Sequence, residues 1–516
     1  MKNQVVTELS EISTQQYKAI RFIAMDQLHR NYGALRQADP ENDLIVFIEN
    51  QGSLTKRAWH IQRTFFLISS TRHFAETLAE EGFTTLYLKS ESFEEGFEKL
   101  IQAFPVTKRL AAEPASHRRL ALLEKFDFQL IENDFFLTPK EIFKEWLAGR
   151  KIFLMENFYR NQRKRLNILM DGDQPLAGEW NFDQSNRLAP PKNYQWPPYL
   201  AHKRDKVDLE LIAQLRTTYP NLWGNDPDES WATTREGALL QLDYFLQNHF
   251  SGFGPYEDAI PPASESWQVH HSLLSPYLNN GLLHPAEVVE AALNKFEEGN
   301  IPIESCEGFI RQIIGWREYV FGMYQHFGPE YRKENQLSAD RKLLPLFNNS
   351  KATQMECVRD TIEAIENRAW VHHIPRLMIL SNLALLTGIK PEAFLDWMSE
   401  VFIDAYDWVM VPNIIGMGLH ADGGAMMSKP YAAGGAYISR MSKYCSSCKF
   451  NPKLRVGEDA CPFTTLYWDF LDRHREAFIR NPRIAQQVRG LDRLKDLAEL
   501  RKRAEFLFDQ LEQGKI

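Results

Sequence analysis

Five short apolar runs, separated by longer segments with helical spacing, occupy the first quarter of the chain and restrict its fold more than any other feature. The runs lie at residues 20–24, 44–48, 85–88, 110–112 and 128–131. Segments between them, such as 56–81 and 93–103, have the apolar periodicity of amphipathic helices. Strands that alternate with helices predict a parallel sheet with helices on both faces.

The character of the sequence changes after the last of these runs. Residues 139–207 lack strand signals and contain two pairs of prolines, at 190–191 and 197–198, which indicates a connector. From residue 208 to the end, polar caps, glycine stops and helical apolar spacing recur. We therefore predict an N-terminal extension over 1–18, an α/β domain over 19–138, a linker over 139–207 and a helical domain over 208–516.

The composition is that of a globular protein. Hydrophobic residues make up 44% and charged residues 25% of the 516 residues. No apolar stretch reaches the roughly 18 residues that a membrane span needs, and the N-terminus lacks the apolar core of a secretory signal. The net charge of −8 means that a nucleic-acid partner would need a local basic surface. We expect a cytoplasmic protein.

The five cysteines do not form a disulfide framework, and their odd number and clustering favour a reducing compartment. Cys445 and Cys448 form a Cys-x-x-Cys pair, Cys461 follows before a proline, and Cys357 lies upstream. Four thiolates can hold zinc or an iron–sulfur cluster, and the spacing favours neither. The alternative is free thiols, with Cys357 as a buried apolar residue. Cys306 is expected to be buried and to take no part.

Two further segments have the composition of binding or catalytic sites. Hydroxyl groups and backbone amides around Ser272, Leu274 and Ser275, at a helix start, can bind a pyrophosphate, although such a stretch alone is more often a capped helix. His372 and His373 are adjacent, and histidine is the side chain whose pKa lies nearest neutral pH. Without other information, two hydrogen-bonded core histidines are the more ordinary interpretation.

In their order and spacing these segments resemble the photolyase–cryptochrome family, from residue 20 to about residue 480. The match includes Trp316-Arg-Glu-Tyr, the His-His stretch that ends at Arg376, an Arg–Asp pair completed by Asp404, and the strand end at Asp26 and Gln27. The sequence is most similar to the bacterial branch that carries an iron–sulfur cluster and includes the prokaryotic (6-4) photolyases. Segments 178–187, 307–318, 412–417, 429–431 and 461–463 are similar to signatures of this branch.

The resemblance implies an α/β antenna domain followed by a large all-α domain that binds FAD. It implies light-driven repair of (6-4) pyrimidine photoproducts by electron transfer from excited reduced FAD, with His373 as proton donor, His372 as its orienting neighbour and Tyr431 in the substrate pocket. The alternatives are a photosensory cryptochrome without repair activity and a photolyase for cyclobutane dimers. The residues that the resemblance assigns to the flavin are Ser272, Leu274, Ser275, Trp316, Arg376, Asp404, Met410 and Trp397.

The resemblance also implies a metal cluster and a second chromophore. Members of the branch bind a 4Fe–4S cluster, and the matching residues are Cys357, Cys445, Cys448 and Cys461. Their antenna is usually 6,7-dimethyl-8-ribityllumazine. The residues that match its polar contacts are Asp26, Gln27 and Glu49, and the plain alternative for these is solvation of strand ends.

UV-damaged DNA is the partner that the resemblance implies, bound by a monomer. A basic run with interleaved aromatic residues in the connector is a candidate for tracking phosphates, although such runs are often only solvated helix faces. The residues proposed for this contact are Arg160, Arg163 and Lys164.

Four positions depart from family patterns. Leu377 stands where animal (6-4) photolyases have a further histidine, which the bacterial branch lacks as well. Met410 stands where relatives tend to place a glutamate near flavin N5, and a thioether is only a weak hydrogen-bond acceptor. Asn349 and Met398 stand where the redox partners of Trp397 are expected. We therefore expect photoreduction to be slow or to follow another route.

Overall fold

A five-stranded parallel sheet forms the N-terminal domain. Its strands are β1 (Ala19–Phe22), β2 (Asp43–Asn50), β3 (Thr84–Ser90), β4 (Lys108–Ala112) and β5 (Gln129–Ile131). Their order in the sheet is β3-β2-β1-β4-β5. The computed structural model describes residues 4–12, 17–105 and 107–516. The predicted parallel sheet is confirmed, and each predicted apolar run contains a strand.

Four helices connect the strands: α1 (Gly52–Lys56), α2 (Ile61–Glu80), α3 (Phe93–Ala103) and α4 (His117–Lys125). The hydroxyls of Ser92 and Ser116 accept backbone N–H groups and so cap α3 and α4. The segment 56–81, predicted as one helix, is divided at residues 57–60. His60 is fully buried at this break, and its Nε2 lies 2.8 Å from the carbonyl oxygen of Ile365 in the distant helical region.

The connector is more regular than the sequence predicts. It contains helices α5 (Lys140–Leu147) and α6 (Met155–Leu166) and a short antiparallel pair, β6 (Met170–Asp171) and β7 (Gln174–Pro175). Phe158 and Tyr159 are fully buried on one face of α6. Residues 179–205, all of them described, contain neither helix nor strand, so only this part fits the expected connector.

From residue 206 onward the chain is almost entirely helical, as predicted. The α-helices of this region are α7 (Lys206–Thr218), α8 (Arg235–Asn248), α9 (Phe250–Phe253), α10 (Ser275–Asn280), α11 (Pro285–Glu297), α12 (Ile303–Ile310), α13 (Glu318–Phe327), α14 (Glu356–Arg368), α15 (Asn382–Thr387), α16 (Pro391–Val401), α17 (Asp407–Val411), α18 (Gly435–Met441), α19 (Pro462–Arg473), α20 (Arg475–Phe478), α21 (Ala485–Gly490) and α22 (Leu497–Glu512).

Three π-helical turns interrupt this regular pattern. Arg311–Arg317 joins α12 to α13, Pro375–Ser381 precedes α15, and Pro412–Gly418 follows α17. Turns of this kind are rare and are frequent at functional sites. The first carries Trp316 and the second carries Arg376, two residues that the sequence assigns to the flavin.

The two domains share a buried interface that fixes their relative position. The ring of Phe66 on α2 lies 5.9 Å from the ring of Tyr277 on α10, within one apolar cluster. Ser69 of α2 donates a hydrogen bond of 2.5 Å to Asp208 of α7. Within the part of the chain that the structure describes, no helix has both the length and the apolar character needed to cross a membrane.

Candidate active site

A bidentate ion pair between Arg376 and Asp404 organises the centre of the helical domain. The two guanidinium nitrogens of Arg376 donate to the two carboxylate oxygens of Asp404 at 2.9 and 3.1 Å. The hydroxyl of Ser275, at the start of α10, donates to the same carboxylate at 2.7 Å, and Asn279 donates to the Asp404 carbonyl. Three predicted flavin residues therefore meet at one point, with the Arg376 charge oriented by its partner.

The other predicted flavin residues are less uniformly placed. Ser272 is close to this point in sequence, and its hydroxyl accepts the backbone N–H of Leu274 at 3.4 Å. Trp397 is buried, and its ring lies 6.4 Å from that of Phe402, on which the Arg376 guanidinium stacks at 4.0 Å. The remaining two are Trp316, partly buried in its π turn, and Met410, buried in α17.

Three imidazoles converge beside the Arg376–Asp404 pair. His372 stacks on His271 with ring centroids 4.5 Å apart, and His373 lies 5.6 Å from His271 and 5.7 Å from His372. Among the described residues, the Nδ1 atom of His372 and the Nε2 atom of His271 are buried and have no hydrogen-bond partner. Burial, together with the charge of the neighbouring histidines, holds the pKa of both rings well below the ordinary value. These two histidines are therefore neutral at neutral pH.

His373 differs from its neighbours in exposure and in charge. Half of its side chain is exposed, and its Nε2 lies 3.4 Å from Oδ1 of Asp258. Desolvation lowers the pKa of His373, but the hydrogen bond and negative charge of Asp258, with a contribution from Glu257, outweigh it, so the net pKa is raised. Among the three histidines, His373 is therefore the one whose pKa is raised, which favours its protonated form.

An excess of carboxylates surrounds this position. Arg311, in the first π turn, lies 2.5 Å from Asp183, 3.2 Å from Glu307 and 3.9 Å from Glu257. Arg187 also pairs with Asp183 at 2.8 Å, which still leaves fewer guanidinium groups than carboxylates. Burial raises the pKa of the Glu257 carboxyl to about 7, against the charge of Arg311. The site therefore favours positive charge on a nearby imidazole.

Tyr431 lies in the same electrostatic surroundings. Burial raises the pKa of its hydroxyl, and the charges that reach it include those of Arg483, Asp183 and Asp258. The charge of Asp258 therefore reaches both Tyr431 and His373, and the role of Tyr431 in the substrate pocket stays a prediction.

The sequence analysis did not identify His271, Glu257 or Asp258 as site residues. His271 directly precedes the Ser272 motif, and this position could have predicted that it belongs to the site. Glu257 and Asp258 belong to no motif, and their approach to His373 depends on contacts between residues more than 100 positions apart.

The four cysteines other than Cys306 line one small apolar cavity. Cys357 lies on α14, Cys461 precedes α19, and Cys445 and Cys448 lie between α18 and α19. The cavity walls include Met355, Ile438, Tyr444, Phe450 and Phe463. Cys306, fully buried on α12, does not line it, in agreement with its predicted role.

The four sulfur atoms surround the cavity without forming a compact cluster. No three of the four cysteine sulfurs lie mutually within 4.8 Å. Four thiolates around one cavity suit either a tetrahedral zinc or an iron–sulfur cluster.

Comparison with known proteins agrees with this geometry. The chain is 40% identical over 474 residues to a (6-4) photolyase of Agrobacterium fabrum, covering 89% of this chain and 93% of that protein. The chain belongs to the photolyase–cryptochrome family. Its place is in the bacterial branch that contains the prokaryotic (6-4) photolyases. A family model described as deoxyribodipyrimidine photo-lyase-related protein matches residues 21–231.

Solved structures of photolyases and cryptochromes share this fold. A bacterial class III photolyase from Agrobacterium tumefaciens superposes with a TM-score of 0.58 at 16% identity, covering 90% of this chain and 98% of that one. A cryptochrome from Synechocystis gives a TM-score of 0.51 at 14% identity, covering 78% and 83%. The predicted architecture of the photolyase–cryptochrome family, an α/β domain followed by a large helical domain, is confirmed.

Membership of the photolyase family implies FAD as the cofactor, and the residues fit it. Arg376 and Ser275 present a cation and a hydroxyl at the organised Asp404 pair. The unpartnered nitrogens of His271 and His372 are buried beside them, as expected of groups that complete their hydrogen bonds with a bound molecule.

The predicted antenna residues of this photolyase are divided between two environments. Asp26 and Gln27 line a small cavity between the domains, together with Asn279, Arg317 and Trp408. Glu49 does not line it. Its buried carboxylate accepts hydrogen bonds from Tyr87 at 2.7 Å and from Arg72 at 3.1 Å. Glu49 is therefore not a solvated strand end, and its contact with an antenna chromophore stays a prediction.

One predicted DNA contact is wrong. Arg163 is 1% exposed, and its guanidinium donates to the backbone carbonyls of Ile168, Leu169 and Trp180 beyond the end of α6. It is an internal cap and cannot reach a phosphate. Arg160 and Lys164 are exposed on α6 and remain predictions.

Proposed function

We propose that this chain is a light-driven (6-4) photolyase in which His373 supplies the proton that repair requires. The observation that carries the proposal is the pairing of a half-exposed His373 with Asp258 beside the Arg376–Asp404 pair. This arrangement favours the protonated form of one half-exposed imidazole, while the two buried imidazoles beside it favour the neutral form.

The residues of the site have different roles, and the local environment of each supports its role. Bound reduced FAD supplies an electron to the lesion when it absorbs light. Arg376 holds negative charge close by, and Asp404 fixes the direction of its guanidinium. His373, with its raised pKa, is the imidazole that would donate a proton to a base turned out of the DNA, and His372 lies beside it in the neutral form. Tyr431, in the segment before α18, is reached by the charge of Asp258.

The decisive experiment uses purified protein with reduced flavin and duplexes that carry one defined lesion each. We expect loss of the (6-4) lesion under blue light and none in the dark, and no repair of a cyclobutane dimer. A flavin that cycles under light while every lesion persists would instead support a photosensory cryptochrome.

We further propose that Cys357, Cys445, Cys448 and Cys461 hold a 4Fe–4S cluster. The support is the set of four thiols around one apolar cavity, together with the chain's place in the bacterial branch. Metal analysis should give about four irons per chain. One zinc and no iron would contradict the cluster.

For the antenna, we propose a ribityllumazine at the cavity lined by Asp26 and Gln27. Replacing Asp26 with Asn should weaken the second chromophore and leave FAD in place. Loss of FAD instead would show that this cavity serves the flavin.

A further inference from the structure

A loop that carries two of the carboxylates at the histidine site is fastened to the cysteine region. We call residues 257–265 the acid loop, because it contains Glu257 and Asp258. The backbone N–H of Ile260 donates to the carbonyl of Met441 at 3.0 Å, and Ile260 forms a β-bridge with Ser442. Both partners lie directly before Cys445, so one end of the cysteine site sets the path of this loop.

Two further contacts fasten the same loop. The Ala263 N–H donates to Oδ2 of Asp360 at 3.0 Å. Asp360 lies one helical turn after Cys357 on α14. Lys443 forms a 2.7 Å ion pair with Glu265, but both side chains are over a third exposed, so this contact is the weaker one.

Tyr444 joins these contacts to the cysteine cavity. Its ring is part of the cavity wall, and its hydroxyl donates to Oδ2 of Asp360 at 2.6 Å. One carboxylate oxygen thus accepts both the Tyr444 hydroxyl and the Ala263 N–H. A continuous path of direct contacts runs from the cysteines through Tyr444 and Asp360 into the acid loop.

The other end of the acid loop faces His373. Asp258 lies 3.4 Å from its Nε2, and the other titratable or charged groups that act on it are Glu257, Arg376, His271 and His372. Asp258 and Glu257 favour the protonated ring, whereas Arg376 disfavours it. Since a charge interaction falls with distance, a small displacement of the loop changes the proton affinity of His373.

We propose that Tyr444 and Asp360 are positioning residues that couple the four-cysteine site to His373 by holding the acid loop in place. This inference rests on the proposed function for its biological meaning, but the coupling itself is a physical property of the protein. Damage to the cysteine site would then reduce repair by removing the proton from His373, even where flavin remains bound.

The test is Tyr444→Phe, which keeps the ring at the cavity and removes only the hydroxyl. Histidine-labelled protein, with His373→Asn for assignment, gives the His373 pKa by ring-carbon NMR. We expect iron to be retained and the His373 pKa to fall by about half a unit to one unit, a fraction of the effect of a full neighbouring charge. The alkaline limit of the repair profile should move down equally.

The matched control is Tyr467→Phe, a partly buried tyrosine on α19 whose hydroxyl makes no hydrogen bond to the described residues. It should leave the His373 pKa unchanged. Should Tyr444→Phe lose iron, Asp360→Ala decides, because Asp360 does not line the cavity and its removal breaks both contacts. An iron-replete variant of either residue with a wild-type His373 pKa overturns the coupling. If the wild type repairs no (6-4) lesion, the proposed function fails while the NMR result still decides the coupling.

Discussion

The edge of the α/β sheet and the histidine site both gather buried carboxylates, but they balance the charge differently. At the sheet edge each carboxylate has its own arginine, since Asp26 pairs with Arg119 and Glu49 with Arg72. At the histidine site, the four carboxylates of Asp183, Glu257, Asp258 and Glu307 face two arginines, Arg187 and Arg311, and the ion-pair partner of Asp258 among the described residues is an imidazole. Balanced charge stabilises a fold, whereas unbalanced charge raises the pKa of a neighbouring group.

The largest effect should follow the loss of the imidazole that receives this unbalanced charge. His373→Ala should retain FAD and bind damaged DNA, yet lose about a hundredfold to ten-thousandfold in repair rate, since this is what a positioned acid contributes. Single-turnover repair of (6-4) DNA under light measures it, with exposed His326→Ala as the control. His373→Asn, which can donate a hydrogen bond but no proton, should be equally impaired. Repair by His373→Ala at the wild-type rate would remove His373 from the mechanism.

Neutralising the carboxylate should have a smaller, pH-dependent effect. The pKa of His373 is raised in the wild type, so the proton is present below that pKa and is lost as the pH rises through it. Asp258→Asn should lower the pKa by about one unit and slow repair up to about tenfold on the alkaline side. Repair should recover at lower pH. A uniform loss of rate at every pH would indicate that Asp258 acts through binding or folding instead.

At the sheet edge, the corresponding change should affect stability and leave repair intact. Glu49→Gln removes a buried charge from Arg72, which should lower the free energy of unfolding by about 1–3 kcal/mol. Denaturant unfolding, with exposed Glu94→Gln as control, measures the difference. Loss of the antenna chromophore without loss of stability would reverse the assignment of Glu49.

The smallest effect is expected at an exposed charge. Lys164→Ala should weaken DNA binding modestly at every sequence and reduce the slope of log affinity against log salt by about one. Binding titrations at several salt concentrations, with exposed Lys206→Ala on α7 as the comparison, test this. An unchanged slope would mean that the exposed face of α6 does not contact phosphates.

The sheet could be predicted from the sequence because each buried strand appears as a short run of apolar residues within a few consecutive positions. Strand β2 is buried along nearly its whole length, and an uninterrupted apolar run records that burial. The break before α2 could not be predicted, because it depends on the contact of His60 with Ile365, some 300 residues away. Helix α6 was not predicted, and its segment was assigned to the connector. The many charged residues on one face of this helix hid the apolar periodicity of the other face.

The same distinction applies to the site. Arg376, Asp404 and Ser275 belong to recognisable motifs, and the structure brings them together. Asp258 has no motif, and its importance arises only when the fold places it beside His373. Arg163 and Lys164 are adjacent basic residues in the sequence, and only the rotation of the helix separates an internal cap from an exposed lysine.

The π turn at Arg311–Arg317 has a consequence for how tolerant this region is to changes in length. Arg311 stands at one end, among the carboxylates, and Trp316 and Arg317 stand at the other. Each residue of a helix adds about 100° of rotation. A π turn holds one residue more than the α-helical turn it replaces. Deleting Gly315 would therefore leave a regular α-helix with much less than the full rotation that a deletion from an α-helix causes. A single deletion here would disturb the alignment of Arg311 with Trp316 and Arg317 less than the same deletion in a regular helix.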